Sequence, residues 1–235
     1  MRMGLHRKQK GAVLILMFVT IAMVALSVIL SALSKRDPRI KASVDLQQEM
    51  ASVKQTLLAY SLSYGADFGN GPGRLPCPDI NNSGVANCVG ANFSRLPQTV
   101  TLSGGNSVAI NNAYIGVDEQ FWYAITPAYK ASSTVLNTRS AGAFTVNGVA
   151  GYAAVVIAPG PALSGQTRPH ASLVSRYLEG SNAFGTAFVD AGVDTDTLND
   201  RVIGITVKEV MSMATIRVAQ AIKSSLDIHH PTNGN

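Results

Sequence analysis

From Ala12 to Leu33 the chain reads AVLILMFVTIAMVALSVILSAL, 22 residues without a charge. At about 1.5 Å of rise per residue a helix of that length reaches roughly 33 Å, enough to cross the hydrocarbon core of a bilayer. Arg2, Arg7, Lys8 and Lys10 all precede the run, with no acidic residue among them. This bias keeps the short leader cytoplasmic and predicts export of everything after Leu33. A cleaved secretory signal fits less well, because the apolar region is too long and Ala32-Leu33-Ser34 is a poor small-x-small site. A plain signal anchor needs only this length and this charge bias, and it stands as an alternative.

A chain of 235 residues is long enough for one helical anchor and one domain of ordinary size. The formal charge of +5 is concentrated in the leader: taking away its four positive charges leaves +1. A near-neutral remainder without a basic, aromatic-interleaved face has no footprint for phosphate backbones, so no nucleic-acid partner is expected. Charged residues are only 14% of the chain, a balance that leans toward a secreted surface. The two cysteines, Cys77 and Cys88, both follow the apolar run, and an oxidising compartment would allow them to pair.

Lys8-Gln9-Lys10-Gly11 abuts the apolar run with no polar spacer. Here the chain resembles the class III signal of type IV pilins and of the pseudopilins of type II secretion. The resemblance implies cleavage by a prepilin peptidase between Gly11 and Ala12, followed by methylation of the new N-terminus at Ala12. Glycine at the cut lets an extended backbone enter a membrane-edge active site with no side chain in the way. One position departs from the pattern: the subunits that form the bulk of such filaments usually carry Glu at the fifth mature position, and this chain has Leu16. An unpaired carboxylate in lipid is costly, so that Glu is thought to meet a neighbouring subunit's terminal amine. Leu16 cannot make that pair, which points to a minor or initiating subunit. The partners implied are other subunits through the N-terminal helix, the prepilin peptidase and an inner-membrane assembly platform. The implied location is the bacterial inner membrane, single-pass, with the C-terminal domain in the periplasm or in an extracellular filament.

The expected fold class is α+β: a leader over 1–11, a long helix over 12–64 and an extracytoplasmic globular domain over 65–235. Pro38 should kink or restart the helix. Beyond it Val44, Met50, Val53, Leu57 and Leu58 recur at helical spacing, with polar residues on the other faces. This half is expected to lie under an antiparallel sheet, and the glycines between Gly65 and Gly73 should end it.

The segment Gly73-Arg74-Leu75-Pro76-Cys77-Pro78-Asp79 resembles an L-P-C-P run that a subset of prepilin-like proteins places just after the helix. A disulfide closing this loop would stabilise by roughly 3 kcal/mol. Asp79, Asn81 and Ser83, with Gly84 sixth, imitate the start of a calcium loop, but Gly90 stands where the bidentate carboxylate belongs. An Asx turn is the alternative. Asp190, Asp194, Asp196 and Asp200 form a second candidate calcium set, with a solvated acidic loop as the alternative. No other cofactor is expected.

Strands are expected at 107–110, 121–126, 144–146, 152–158 and 201–205, with Asn147-Gly148 and Pro159-Gly160-Pro161 as turns. Phe121-Trp122-Tyr123 reads more readily as core than as a binding patch. Tyr123 to Tyr129, Tyr177-Leu178-Glu179-Gly180 and Asn199-Asp200-Arg201-Val202-Ile203 also look similar to the prepilin-like subset. Thr206 and Glu209 have capping-box spacing ahead of a last helix over 207–226, whose stripe of Val207, Val210, Met211, Ala214, Val218, Ala221 and Ile222 reads as core. His229 and His230 receive no role.

No nucleophile elbow, zinc-protease helix or phosphate loop occurs in the sequence. A structural filament subunit is the leading reading. A tip adhesin or ligand-binding module would show an exposed pocket far from the helix, and an anchored enzyme would show convergent shifted carboxylates or histidines.

Overall fold

The computed structural model describes residues 17–25, 38–63, 71–101, 107–110, 120–131, 136–137, 139–170 and 173–229. The chain divides into two units, Met1–Gln47 and Gln48–Asn235. In the first, residues 17–25 are helical, and their apolar side chains are exposed. Among the described residues no helix is long and apolar enough to cross a membrane. Residues 12–16 and 26–33 of the expected span, with Gly11 and Ala12, lie outside the described residues.

The first long helix, α1, runs Pro38–Ser63. Pro38 stands at its start, where a backbone N–H would have no intrahelical partner, so the proline restarts a helix there at no cost in hydrogen bonding. Met50, Val53, Leu57 and Leu58 are buried, as the stripe predicts, whereas Val44 is exposed.

Among the described residues eight strands follow: β1 (Phe93–Arg95), β2 (Thr99–Thr101), β3 (Ser107–Ala109), β4 (Trp122–Ile125), β5 (Phe144–Val146), β6 (Val149–Ala158), β7 (Ala187–Phe188) and β8 (Arg201–Thr206). β2 and β3 make a two-stranded ribbon, and the main sheet has the order β1-β4-β6-β5-β7 with β8 paired to β6. Pairing is antiparallel except between β5 and β7. β6, ten residues long, is the hub. It turns out of β5 through Asn147 and Gly148, whose φ values of 49° and 78° give the left-handed pair that a two-residue hairpin requires.

Because β4 and residues 153–158 of β6 are buried on both faces, their side chains divide into two cores by the period of two. The first face carries Trp122, Ala124, Phe144, Val146, Val155 and Ile157, closed over by Tyr177, Leu178 and Phe188 from the segment 173–188. This cover contains two short 3-10 turns, Val174–Arg176 and Gly180–Phe184. Trp122 packs at 5.9 Å from Phe93 and 5.6 Å from Tyr177, so the aromatic triad 121–123 is core and not a surface patch. The second face holds Tyr123, Ile125, Ala154, Val156 and Ile205, all buried. Here α1 supplies the packing, with Tyr60 near enough to Tyr123 to act on its phenol electrostatically. Gly204 on β8 lies beneath the Tyr152 ring, and any side chain there would enter the ring's space.

The last helix, α2, runs Val207–His229. Its capping box forms as the spacing predicts: Glu209 Oε2 accepts from the Thr206 N–H at 2.8 Å, and the Glu209 N–H donates to Thr206 Oγ1 at 3.2 Å. The expected core stripe is corrected in its distal half. Val210 and Ala214 are buried, but Val218 and Ile222 are 47% and 56% exposed, and Ala221 is exposed as well. α2 leaves directly from β8, so its first turns lie on the domain while residues 221–228 have no packing against other described residues.

Candidate functional site

Cys77 and Cys88 form a disulfide across a sequence separation of 11, with Cα atoms 5.0 Å apart. Inside this loop Asp79 is fully buried. Its Oδ1 accepts from the N–H groups of Asn81 (3.3 Å) and Ser83 (3.1 Å), and its Oδ2 from that of Gly84 (2.7 Å). The turn passes through Asn82 at φ 58° and Gly84 at φ 80°. This geometry is that of the Asx-turn alternative to the calcium reading of Asp79, Asn81 and Ser83: the carboxylate gathers three backbone N–H groups of its own loop. Asn81 Oδ1 in turn accepts from the Ser83 hydroxyl at 2.8 Å. The loop is an Asx-type turn tied to β1, with the Asp79 N–H on Arg95 O at 2.9 Å and the Ser94 hydroxyl on Asp79 O at 2.7 Å.

The second acidic set does not converge. Asp190 Oδ1 accepts the Val202 N–H at 2.9 Å, Asp194 pairs with Arg201 at 2.9 Å, Asp196 is exposed and Asp200 is buried. Among the described residues no three His, Cys, Asp or Glu side chains are grouped to hold a metal.

What the fold does bring together is Glu179 with Asp200. Asp200 Oδ2 accepts from the Glu179 N–H at 3.0 Å and from Asn182 Nδ2 at 2.9 Å, while its Oδ1 is buried with no hydrogen-bond partner. Glu179 Oε1 accepts from Gln166 Nε2 at 2.7 Å and lies 3.9 Å from the Arg168 guanidinium; Oε2 accepts the Asn199 N–H at 3.2 Å. Arg168 is fixed by the carbonyls of Gly160 (2.6 Å), Arg176 (2.7 Å) and Tyr177 (2.7 Å) and by stacking 5.1 Å from the Tyr177 ring. Burial raises the Asp200 pKa most. The Glu179 N–H and the Asn182 amide pull it down and the Glu179 carboxylate pushes it up again, leaving it at about 7. Sequence reading singled out both segments, 177–180 and 199–203, without joining them. The signal that could have flagged the pair is an acid set among apolar residues at each end, with a polar residue beside Asp200 that solvated loops do not need.

Near the end of β8 an open groove of about 770 Å³ is lined by Leu58, Tyr152, Ile203, Gly204 and Met213. It is bridged by Lys54, whose ammonium lies 2.8 Å from Glu209 and donates to Gly204 O at 2.8 Å. Burial works against the Glu209 charge, yet hydrogen bonds from Lys54 and Thr206 outweigh it and hold the pKa below the ordinary carboxylate value. Outward-facing backbone groups of β8 are thus met by Asp190, Lys54 and Glu209, a side-chain seal on an edge strand. Chemically these arrangements hold elements together; none sets a nucleophile beside a base. Comparison with protein-family models, with curated proteins and with solved structures returns no match to this chain.

Proposed function

We propose that this chain is a pilin-like filament subunit, minor or initiating in position, matured by a prepilin peptidase that cuts after Gly11. One observation carries the reading: Lys8-Gln9-Lys10-Gly11 runs without a spacer into 22 uncharged residues. Leu16, in place of the usual Glu, argues for a subunit that starts or interrupts a filament over one that fills it. An amphipathic helix packed on an antiparallel sheet, followed by a cystine loop, is the kind of build that the resemblance implies, and it supports the reading. The disulfide also suits an oxidising, extracytoplasmic location. On this reading the segment 12–33 anchors the chain in the inner membrane until a polymer recruits it, and the role is structural, with no catalysis.

Intact-mass measurement of the chain expressed with and without a prepilin peptidase tests the proposal. Loss of residues 1–11 only when the peptidase is present, with one added methyl group at Ala12, is the expected result. An N-terminus that stays unchanged in the presence of an active peptidase overturns it.

A further inference from the structure

A carboxyl at Asp200 is more than the fold needs in order to be closed, since an amide there would satisfy the same two donors through one oxygen, whereas Glu179 uses both of its oxygens as acceptors. The charge balance of the pair gives it a use. Glu179 and Asp200 are 8% and 0% exposed, and among the described residues the cation beside them is Arg168, 3.9 Å from Glu179 Oε1. With both carboxyls ionised the cluster carries an excess negative charge inside the protein. With one proton taken from solvent it is neutral, and that proton would give Asp200 Oδ1, which is buried without a hydrogen-bond partner, an O–H beside the Glu179 carboxyl with which Asp200 interacts.

We propose that Glu179 and Asp200 form a proton-held latch: one shared proton pins the 173–188 cover to the start of β8, and its loss loosens that cover from the first face of the sheet. The inference does not rest on the filament reading and concerns the globular unit alone. The pair joins the parts that would separate. Glu179 sits between the two 3-10 turns of the cover, Asp200 sits one residue before β8, and Asn182 of the cover reaches both Asp200 Oδ2 and the Val189 carbonyl, each at 2.9 Å. Behind the cover lie Trp122 and Phe144, so loosening would wet a large aromatic core.

The groups that face the pair are few. From 159–170 come Gln166 and Arg168; from the cover, Asn182; from 189–200, Asn199. Asp190 and Arg201 are turned to the Val202 N–H and to Asp194. The His170 imidazole touches the cover, its Nδ1 accepting from the Leu173 N–H at 3.2 Å and its backbone bonding the Tyr177 hydroxyl, so its part must be separated experimentally.

Trp122 is the sole tryptophan of the chain, which makes its fluorescence a direct report on the cover. The test measures acrylamide quenching of the full chain in detergent micelles from about pH 5.5 to about pH 8.5. The quenching constant should rise about twofold across neutrality in the wild type, stay at its acid value in Asp200→Asn and Glu179→Gln, and still rise in His170→Gln. A flat wild-type profile overturns the latch. So does a transition that survives both amide variants, or one that His170→Gln abolishes. Should the amide variants fail to fold, hydrogen exchange of the wild-type 173–188 backbone decides, and equal protection at both pH limits, after correction for intrinsic exchange, rejects the proposal.

Discussion

Asp79 sits within the cystine loop and meets three backbone N–H groups with its two carboxyl oxygens, inside a turn that is also tied by the disulfide, by β1 and by Gly84 O, which accepts the N–H groups of Gln98 and Thr99. Replacing it by alanine leaves three donors facing a void that water enters poorly. A buried donor without a partner costs about 1–3 kcal/mol, and partial rearrangement of the turn recovers some of the sum. Asp79→Ala is therefore expected to lose about 2–3 kcal/mol in urea unfolding monitored by circular dichroism. Calcium should leave the wild-type midpoint where it is, because both carboxylate oxygens already accept hydrogen bonds. A rise of the midpoint with calcium would restore the cation reading of this loop. Two other residues act through shape. Gly204 makes room for the Tyr152 ring, and Gly185, at φ 72°, lies where a side chain would press on Phe93 Cδ1 at 2.8 Å.

At the scale of elements, local chemistry was legible and long-range pairing was not. The start of α2 is written in Thr206 and Glu209, and Thr206→Ala should cost about 1 kcal/mol, because the helix loses its cap while the Lys54 to Glu209 bridge remains. Thermal unfolding of the variant beside Glu209→Gln checks this, and equal stability of Thr206→Ala and wild type would show that the cap is idle. The amphipathic half of α1 and the strands β4, β5, β6 and β8 carry enough apolar periodicity to be read from residues alone. β1, β2 and β7 do not, being two or three residues long and defined by their partners: Arg95 is in a strand because it faces Trp122 across the ladder. The distal stripe of α2 misled for a related reason. Val218, Ala221 and Ile222 have helical spacing, but burial depends on whether the sheet reaches that far, which no local pattern encodes. The carboxyl pair was hidden for the same cause, since 21 residues separate its members and only the path of the chain from β7 back to β8 brings them together.

For the whole molecule, Asp200 and Glu209 set opposite pH dependences, with Glu49, raised by burial, acting in the same sense as Asp200, and the windows of the first two decide where the protein is most stable. Asp200 has its pKa raised from 3.8 to about 7 in the folded state. Folding therefore binds a proton across that interval, so the stability tied to Asp200 is greatest below 3.8 and declines as pH rises to about 7. Glu209 has its pKa held below 4.5, so the stability from its bonds to Lys54 and Thr206 is present above that value and is lost as pH falls through the folded pKa. Between the two lies a maximum on the acid side of neutrality, where Glu209 is still ionised and the Asp200 pair holds its proton. The melting temperature of the full chain should accordingly be higher near pH 5 than near pH 8, by several degrees, since about 1 kcal/mol moves a domain of this size by roughly 2–4 °C. Asp200→Asn should flatten that difference while leaving the fall at lower pH, and Glu209→Gln should do the reverse. A melting temperature that climbs steadily from pH 5 to pH 8 in the wild type would mean that Asp200 is ionised throughout, its second oxygen paired by something other than a proton, and that the cover is held by packing on Trp122 and Phe144 alone.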